Sequence, residues 1–394
     1  MKTAKNGKLK SVDESDKHKV IYVFQGGGAL GSFQVGVFDA LHELNYLPNM
    51  VVGISIGGIN AAIIAGNKPE DRSKKLHEFW DIITTSEPFA DIFYSSFSEF
   101  YNFLGANHAV LQGQDGFFTP KLIKANFVFN ETPDNISFYD TSPLRETLEG
   151  LIDFDYLNNG TIRLCLGSTN LRTGEFKFFD SKNETITLDH IMASGALPPG
   201  FPAVKIEEEY YVDGGVFANT PLFKVFDEFS DVNSEIDDVL CFVIDLFPSI
   251  GKLPTNFNEL MTRLKDIQYS SHSKRTSSLF ATTGNMSKAI HFLGSQLTAE
   301  QKQDPNVKEV LKLGRRHWLN LVRIIYRSKN KSELESKDYN FNRQAADLHC
   351  KEGYKITKDV VGKRKSEWQM QKDKDGGYSI YTLDENDKLK KITV

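Results

Sequence analysis

The chain has 394 residues, enough for one large domain with an extension or for two domains. Hydrophobic content of 40% and charged content of 25% are ordinary for a soluble globular protein, and no apolar run approaches the roughly 20 residues of a membrane-spanning helix. The net charge of −5 hides two halves of opposite sign: residues 1–250 hold 19 Lys+Arg against 35 Asp+Glu, a net of −16, and residues 251–394 hold 28 against 17, a net of +11.

Residues 1–19 are polar and lysine-bearing with no apolar stretch, so they read as a disordered leader, neither a secretion signal nor an anchor. Cys165, Cys241 and Cys350 are widely spaced and lack a metal-ligand pattern, which fits a reducing, cytoplasmic location. The change of sign near residue 250 divides the chain into a main unit over 20–250 and a basic extension over 251–394.

Residues 20–24 (V-I-Y-V-F) form a buried-strand run, followed at once by Gln25-Gly26-Gly27-Gly28-Ala29-Leu30-Gly31 and an amphipathic helix over 33–44. A glycine loop opening a helix is an anion-binding arrangement, and Gly26, Gly28 and Gly31 also satisfy G-x-G-x-x-G. A dinucleotide site needs an acidic residue at the end of the second strand. That strand ends instead in Val52-Gly53-Ile54-Ser55, so the loop reads as a set of backbone N–H donors facing Ser55.

Residues 50–62 (M-V-V-G-I-S-I-G-G-I-N-A-A) then give a strand, a sharp bend and a small-residue helix, with Ser55 on the bend. This is the G-x-S-x-G nucleophile elbow. A Cβ at Gly53 or Gly57 would collide where strand and helix leave the turn steeply. The first N–H groups of the helix, that of Ile56 among them, point to the place the hydroxyl occupies. Only one strand precedes the elbow and no histidine is placed for a triad, which argues against the α/β-hydrolase order; His190 and His272 read as helix-face residues.

An aromatic-rich segment follows over 76–135, including Phe89, Phe93, Phe117, Phe118, Phe127 and Phe129. It reads as an inward-packed helical subdomain, with a lid or an acyl-chain pocket as the other use. Ser142-Pro143 with Glu146 reads as the cap of a helix reaching 151. Residues 161–169 and 175–179 form a hairpin, 188–194 a short helix, and 210–212 a strand stopping at Asp213-Gly214-Gly215. A carboxylate at a strand end can meet a serine elbow on the same sheet edge, although D-G-G is also an ordinary turn.

Taken together, Gly26-Gly27-Gly28-Ala29-Leu30-Gly31, Gly53-Ile54-Ser55-Ile56-Gly57, Ala193-Ser194-Gly195-Ala196-Leu197-Pro198 and Asp213-Gly214-Gly215 resemble the patatin-like phospholipase family, in the family's order. The remainder is similar to the C-terminal extension of a bacterial subgroup. The resemblance implies a three-layer α/β/α fold with a central, mainly parallel sheet plus an α+β extension, and a serine lipid acyl hydrolase of the phospholipase A or lysophospholipase type. Ser55 is then the nucleophile, Asp213 its partner, and Gly26, Gly27, Gly28 and Ile56 the oxyanion hole, with no metal or cofactor required. One departure is Leu30, where the family often carries Arg or Lys; backbone donors survive that change and a fixed positive charge does not. Expected partners are a phospholipid or other acyl ester and, through the basic extension, the surface of an anionic membrane; no nucleic-acid module is present. A lipid-binding scaffold that kept the elbow, or a thioesterase or acyltransferase, stand as the alternatives.

In the extension, 258–279 reads as a long amphipathic helix and 319–327 as a strand given basic character by Arg315, Arg316, Arg323 and Arg327. Residues 341–361 read as helical, and 367–370 pairs with 378–383 as a hairpin across Asp375-Gly376-Gly377. A strand that completes the main sheet is the plain account of this region.

Overall fold

The structure, a computed structural model, describes residues 19–84, 112–121, 131–230, 238–314, 318–327, 335–368, 377–384 and 388–392. The expected leader up to residue 18, Arg315, Arg316 and the aromatic stretches 85–111 and 122–130 lie outside them.

The strands, in chain order, are β1 Lys19–Phe24, β2 Met50–Gly53, the short pair β3 Thr119–Pro120 and β4 Tyr139–Asp140, β5 Arg163–Asn170, β6 Phe176–Asp180, β7 Val204–Ile206, β8 Glu209–Asp213, β9 Asp238–Asp245, β10 Trp318–Ile325, β11 Gly377–Leu383 and β12 Leu389–Ile392. All but β3 and β4 join one ten-stranded sheet, ordered β12-β11-β10-β9-β1-β2-β5-β8-β7 with β6 also on β5. From β11 to β5 every neighbouring pair is parallel. The helices are α1 Ser32–Glu43, α2 Ile56–Ala65, α3 Arg72–Ile82, α4 Ser142–Leu151, α5 Phe154–Asn159, α6 Leu188–Ser194, α7 Leu222–Ser230, α8 Phe257–Gln296, α9 Pro305–Leu313, α10 Arg343–Thr357 and α11 Lys365–Trp368.

Strand alternation builds the layers. Val20, Tyr22 and Phe24 with Leu240, Phe242 and Ile244 face one core, which α1, α2, α3 and α10 cover; Ile21, Val23, Val239, Cys241 and Val243 face a second core under α7. Because both faces are covered, the central strands read as unbroken apolar runs rather than alternating ones. The expected three-layer α/β/α arrangement is therefore the observed one.

The extension does not stand apart. Strand β10 pairs with β9 from Trp318↔Asp238 to Ile325↔Asp245, so the sheet is completed as the plain account expected. Of the strand expected over 367–370, residues 369–370 lie outside the described residues, and both edges of its expected partner β11 are taken by other strands. Trp368 closes the short helix α11, buried with its Nε1 donating to Val360 O at 3.0 Å, and β11 pairs instead with β10 and, antiparallel, with β12. A large indole that can satisfy its N–H inside the core gains more there than on a strand edge.

Two of the arginines expected on a docking surface also turn inward. Arg323 is buried and pairs with Asp245 at 2.7 Å, and Arg327 donates to Leu383 O and Asp384 O. At α4 the expected Ser142 cap is shifted: Asp140 Oδ1 accepts from Ser142 N at 3.0 Å, and Thr141 is the boundary residue. Among the described residues no helix is long and apolar enough to cross a membrane.

Candidate active site

Strand β2 ends at Gly53 and α2 begins at Ile56, leaving Ser55 on the turn at φ 57°, ψ −133°. A positive φ is unusual for a residue with a Cβ and marks a turn held by its surroundings. The flanking glycines have the steric role expected of them. A Cβ on Gly53 would lie 2.3 Å from Gly57 O, and one on Gly57 would lie 2.7 Å from both Gln25 O and Phe24 O. Support comes from the end of α6: Ser55 N donates to Ser194 O at 2.9 Å, while Ser194 Oγ donates to Gly167 O at 2.9 Å.

The sheet brings Asp213 to the same place. On β5, Leu166 pairs with Gly53 and Ser168 with Asp213, while β6 occupies the opposite edge at both positions. Strands β2 and β8 therefore meet end to end along one edge of β5, and the residues just past each end converge. Gly214 permits this approach, since a Cβ there would lie 2.6 Å from Gly167 O.

Asp213 is 1% exposed. Its Oδ1 accepts from Gly215 N at 2.7 Å, and Oδ2 has no full hydrogen bond. Burial pushes its pKa from 3.8 up to about 7, against the smaller downward pulls of the Gly215 N–H and of the Ser55 side chain close by. A carboxylate at its ordinary pKa is a poor base for a hydroxyl. This one is tuned to the middle of the physiological range.

The glycine loop faces the pair. Gly26 is committed elsewhere: its N–H donates to Asn219 O at 3.2 Å, and its carbonyl accepts from Asn219 Nδ2 at 2.9 Å. The expectation that Gly26 supplies an oxyanion donor is corrected on that ground. For the N–H groups of Gly27, Gly28 and Ile56, no acceptor is found among the described residues. Gly28 has φ +52° and lies under the Asp338 carbonyl, which a Cβ would approach to 2.2 Å. Gly31 packs on the elbow, where a Cβ would meet Ile56 Cγ1 at 2.6 Å. Leu30 points into the apolar core with no exposure, so the side chain that departs from the family pattern contributes packing.

A cavity of about 170 Å³ opens over Ser55, Asp213 and Gly26 to Gly28, walled largely by aromatic rings. Phe117, Phe118, Tyr139, Phe201 and Phe341 form a contiguous set, with centroids 4.8 Å apart for Phe118–Tyr139 and 5.4 Å for Phe117–Phe341. Of the aromatic-rich segment, Phe117 and Phe118 thus serve the pocket, while Phe79 packs in the core under α3.

The extension closes the other side with Tyr269, Asp338, Tyr339 and Phe341. Two ion pairs of reversed polarity, Lys265–Asp338 at 2.7 Å and Lys337–Asp266 at 2.9 Å, fix residues 335–339 to α8. Gln25 links the loop to the same helix, donating to Tyr269 O at 3.0 Å while its Oε1 accepts from Leu246 N and Phe247 N. Burial raises the Tyr269 pKa, and the charges of Asp338 and Asp213 add to the effect.

His190 caps α6, its Nδ1 accepting from Thr187 N at 2.9 Å; burial lowers its pKa, and it does not line the pocket. The side chain of His272 lies outside the described residues. Sequence reasoning missed Asn219, the propping role of Ser194, and Tyr269 and Asp338. Only Ser194 had a signal, since it stands inside one of the four blocks.

A doubly covered α/β sheet, a serine on a strand–turn–helix bend and an apolar pocket above it define a class, the lipid ester hydrolases of α/β architecture. Within that class the chain matches the family model described as patatin-like phospholipase over residues 22–226, which is 205 of its 394 residues, and it belongs to that family. A second model, described as patatin phospholipase, matches residues 267–375 of the extension. Solved structures similar to the chain include VipD from Legionella pneumophila, with 14% identity, 92% of this chain and 72% of that one covered and a TM-score of 0.38. Others are human GIVD cytosolic phospholipase A2, with 14%, 60%, 44% and 0.31, and ExoU in complex with SpcU from Pseudomonas aeruginosa, with 14%, 75%, 67% and 0.28. A search of curated protein sequences gives no match.

Proposed function

We propose that the chain hydrolyses fatty-acyl esters of phospholipids or lysophospholipids through a Ser55–Asp213 dyad. The observation that carries this reading is the convergence of Ser55, at a strained turn, with a buried Asp213 whose pKa is raised to about 7, under an aromatic pocket. Asp213 takes the Ser55 proton as Oγ attacks the ester carbonyl carbon. The resulting oxyanion is held by the N–H groups of Gly27, Gly28 and Ile56, where loss of one donor costs roughly 3–4 kcal/mol. Collapse breaks the ester C–O bond, and Asp213 returns the proton to the departing alcohol oxygen. Asp213 then takes a proton from water, whose oxygen attacks the acyl-Ser55 carbonyl; collapse breaks the bond from the acyl carbon to Ser55 Oγ, Asp213 returns the proton to that oxygen, and the fatty acid leaves.

In this reading the catalytic unit spans 20–250, and the extension 251–394 is a structural part of the pocket, supplying Tyr269, Tyr339 and Phe341 to the wall. Contact with an anionic membrane is peripheral and does not rest on Arg323 or Arg327. The test is labelling by a fluorophosphonate probe together with product analysis on mixed-chain phospholipids. Labelling at Ser55 and release of free fatty acid are expected, and an unlabelled protein that binds lipid without turnover overturns the reading.

A further inference from the structure

Helices α1, α3 and α10 meet at a second place that the pocket does not use. Helices α1 and α10 cross backbone against backbone: a Cβ on Gly36 would lie 1.8 Å from Cys350 O, and one on Gly353 would lie 2.1 Å from Phe33 O. Beside this crossing Asp39, His77 and Cys350 converge, one from each helix, with a carboxylate oxygen, a ring nitrogen and Sγ all within 4.8 Å of one another. Ser73 Oγ donates to Asp39 Oδ1 at 2.6 Å, fixing that carboxylate, and His77 Nε2 lies 2.8 Å from Asp39 Oδ2. The ends of α10 are braced on the same helices, by Arg343 on Asp81 and by Tyr354 and Lys358 on Glu43.

We propose that Asp39, His77 and Cys350 form a binding site for a zinc-type divalent transition metal that clips the extension helix α10 to α1 and α3. One imidazole nitrogen, one thiolate and one carboxylate are a donor set suited to zinc or cobalt and ill suited to magnesium or calcium. Tetrahedral bonds of about 2.0–2.3 Å place ligand atoms roughly 3.3–3.7 Å apart. Cys350 Sγ must therefore close in by at most about 1 Å while the His77–Asp39 contact opens slightly, within the reach of side-chain rotation. The imidazole is about half exposed, so the fourth position faces solvent. On binding, the Cys350 thiol proton and the proton shared by His77 and Asp39 leave to water, and the metal takes their place.

Two simpler uses account for less. An Asp39–His77 ion pair explains those two residues and the raised pKa that Asp39 gives His77, and leaves the thiol beside them without a role. A nucleophilic cysteine needs positive charge beside it, whereas Cys350 sits against the carboxylate of Asp39 with the charge of Asp347 also acting on it. Direct coordination is what turns such a thiol into a thiolate, and the negative charge of Asp347 favours a dication there.

The test is cobalt(II) titration of the full chain after chelator treatment, followed by displacement with zinc. One cobalt per chain is expected, with a thiolate-to-cobalt charge-transfer band that zinc abolishes; Cys165 and Cys241, fully buried in strands, cannot supply it. Cys350→Ser should lose the band and His77→Gln should bind at least about tenfold more weakly, while both hydrolyse a soluble ester like the parent. Absence of the band in the parent, or its survival in Cys350→Ser, overturns the proposal. If Cys350→Ser fails to fold, His77→Gln decides: a zinc-induced rise in melting temperature equal to the parent's refutes the site, and its loss supports it.

Discussion

Replacing Asp213 with Asn should inactivate the enzyme and stabilise it together. The carboxylate is fully enclosed, and the move of its pKa from 3.8 to about 7 corresponds to about 4 kcal/mol in favour of the neutral form. An acid whose pKa is raised by folding binds more protons folded than unfolded between those values, so stability falls as pH rises through that window. The cost is absent below the unfolded pKa and complete above about 7. The amide of the variant keeps an oxygen for the Gly215 N–H and carries no charge. Urea unfolding at about pH 8 should therefore show the variant more stable than the parent by up to about 4 kcal/mol, with under half that advantage near pH 5. In parallel, kcat/KM on a soluble p-nitrophenyl ester should drop by several orders of magnitude in the variant. In the parent it should fall about tenfold for each pH step below 7. His190 cannot mimic this limb, because burial lowers its pKa and it lies outside the pocket. A variant no more stable than the parent at about pH 8, or a parent whose rate is flat down to about pH 5, refutes the reasoning.

Ser55→Ala should abolish hydrolysis and fluorophosphonate labelling at an unchanged melting temperature, since only the hydroxyl is removed from the turn; parent-level turnover would exclude Ser55 as nucleophile. Gly57→Ala drives a Cβ to 2.7 Å from two backbone carbonyls, which have little room to yield, so thermal unfolding should show a loss of about 2 kcal/mol or more together with lost activity. An unperturbed melting curve would contradict the steric account of the elbow. Arg323→Gln breaks the buried ion pair with Asp245, a change that typically costs about 3–5 kcal/mol, with no effect on vesicle binding by the folded fraction. Weaker binding to anionic vesicles at parent stability would return Arg323 to a docking role.

The parts of the site that the sequence reveals are those written locally. The elbow and the D-G-G turn are each settled within a few residues, by glycines whose missing Cβ has a steric reason and by the side chain they present. Their convergence needs β8 to run against β5 and end where β2 ends, a matter of register that no local pattern carries. Asn219 occupies the Gly26 N–H through a contact across 193 residues of chain, which is why Gly26 reads as a free donor until the fold is known. Asp338 and Tyr269 reach the pocket through the extension, whose sequence signals are secondary structure alone and carry no mark of a site. The basic balance after residue 250 is likewise silent on placement: composition records charge, and it does not record that Arg323 and Arg327 point inward. Trp368 illustrates the same point: it suits a strand as well as a buried helix end, and the Val360 carbonyl that takes its N–H is not legible in the local sequence.

The junction of β9 with β10 has a consequence for synthesis. Once Asp238–Asp245 has paired with β1, its other edge stays open until Trp318–Ile325 is made, roughly 70 residues later. At translation rates of about 5–20 residues per second that is an interval of roughly 4–14 s, during which eight consecutive backbone positions of an apolar strand stand ready for any other strand nearby. An unpaired apolar edge of this kind is a template for mispairing. The nascent protein therefore carries an open apolar edge after its catalytic residues have been translated and before β10 is added, and holdase chaperones can act in that interval.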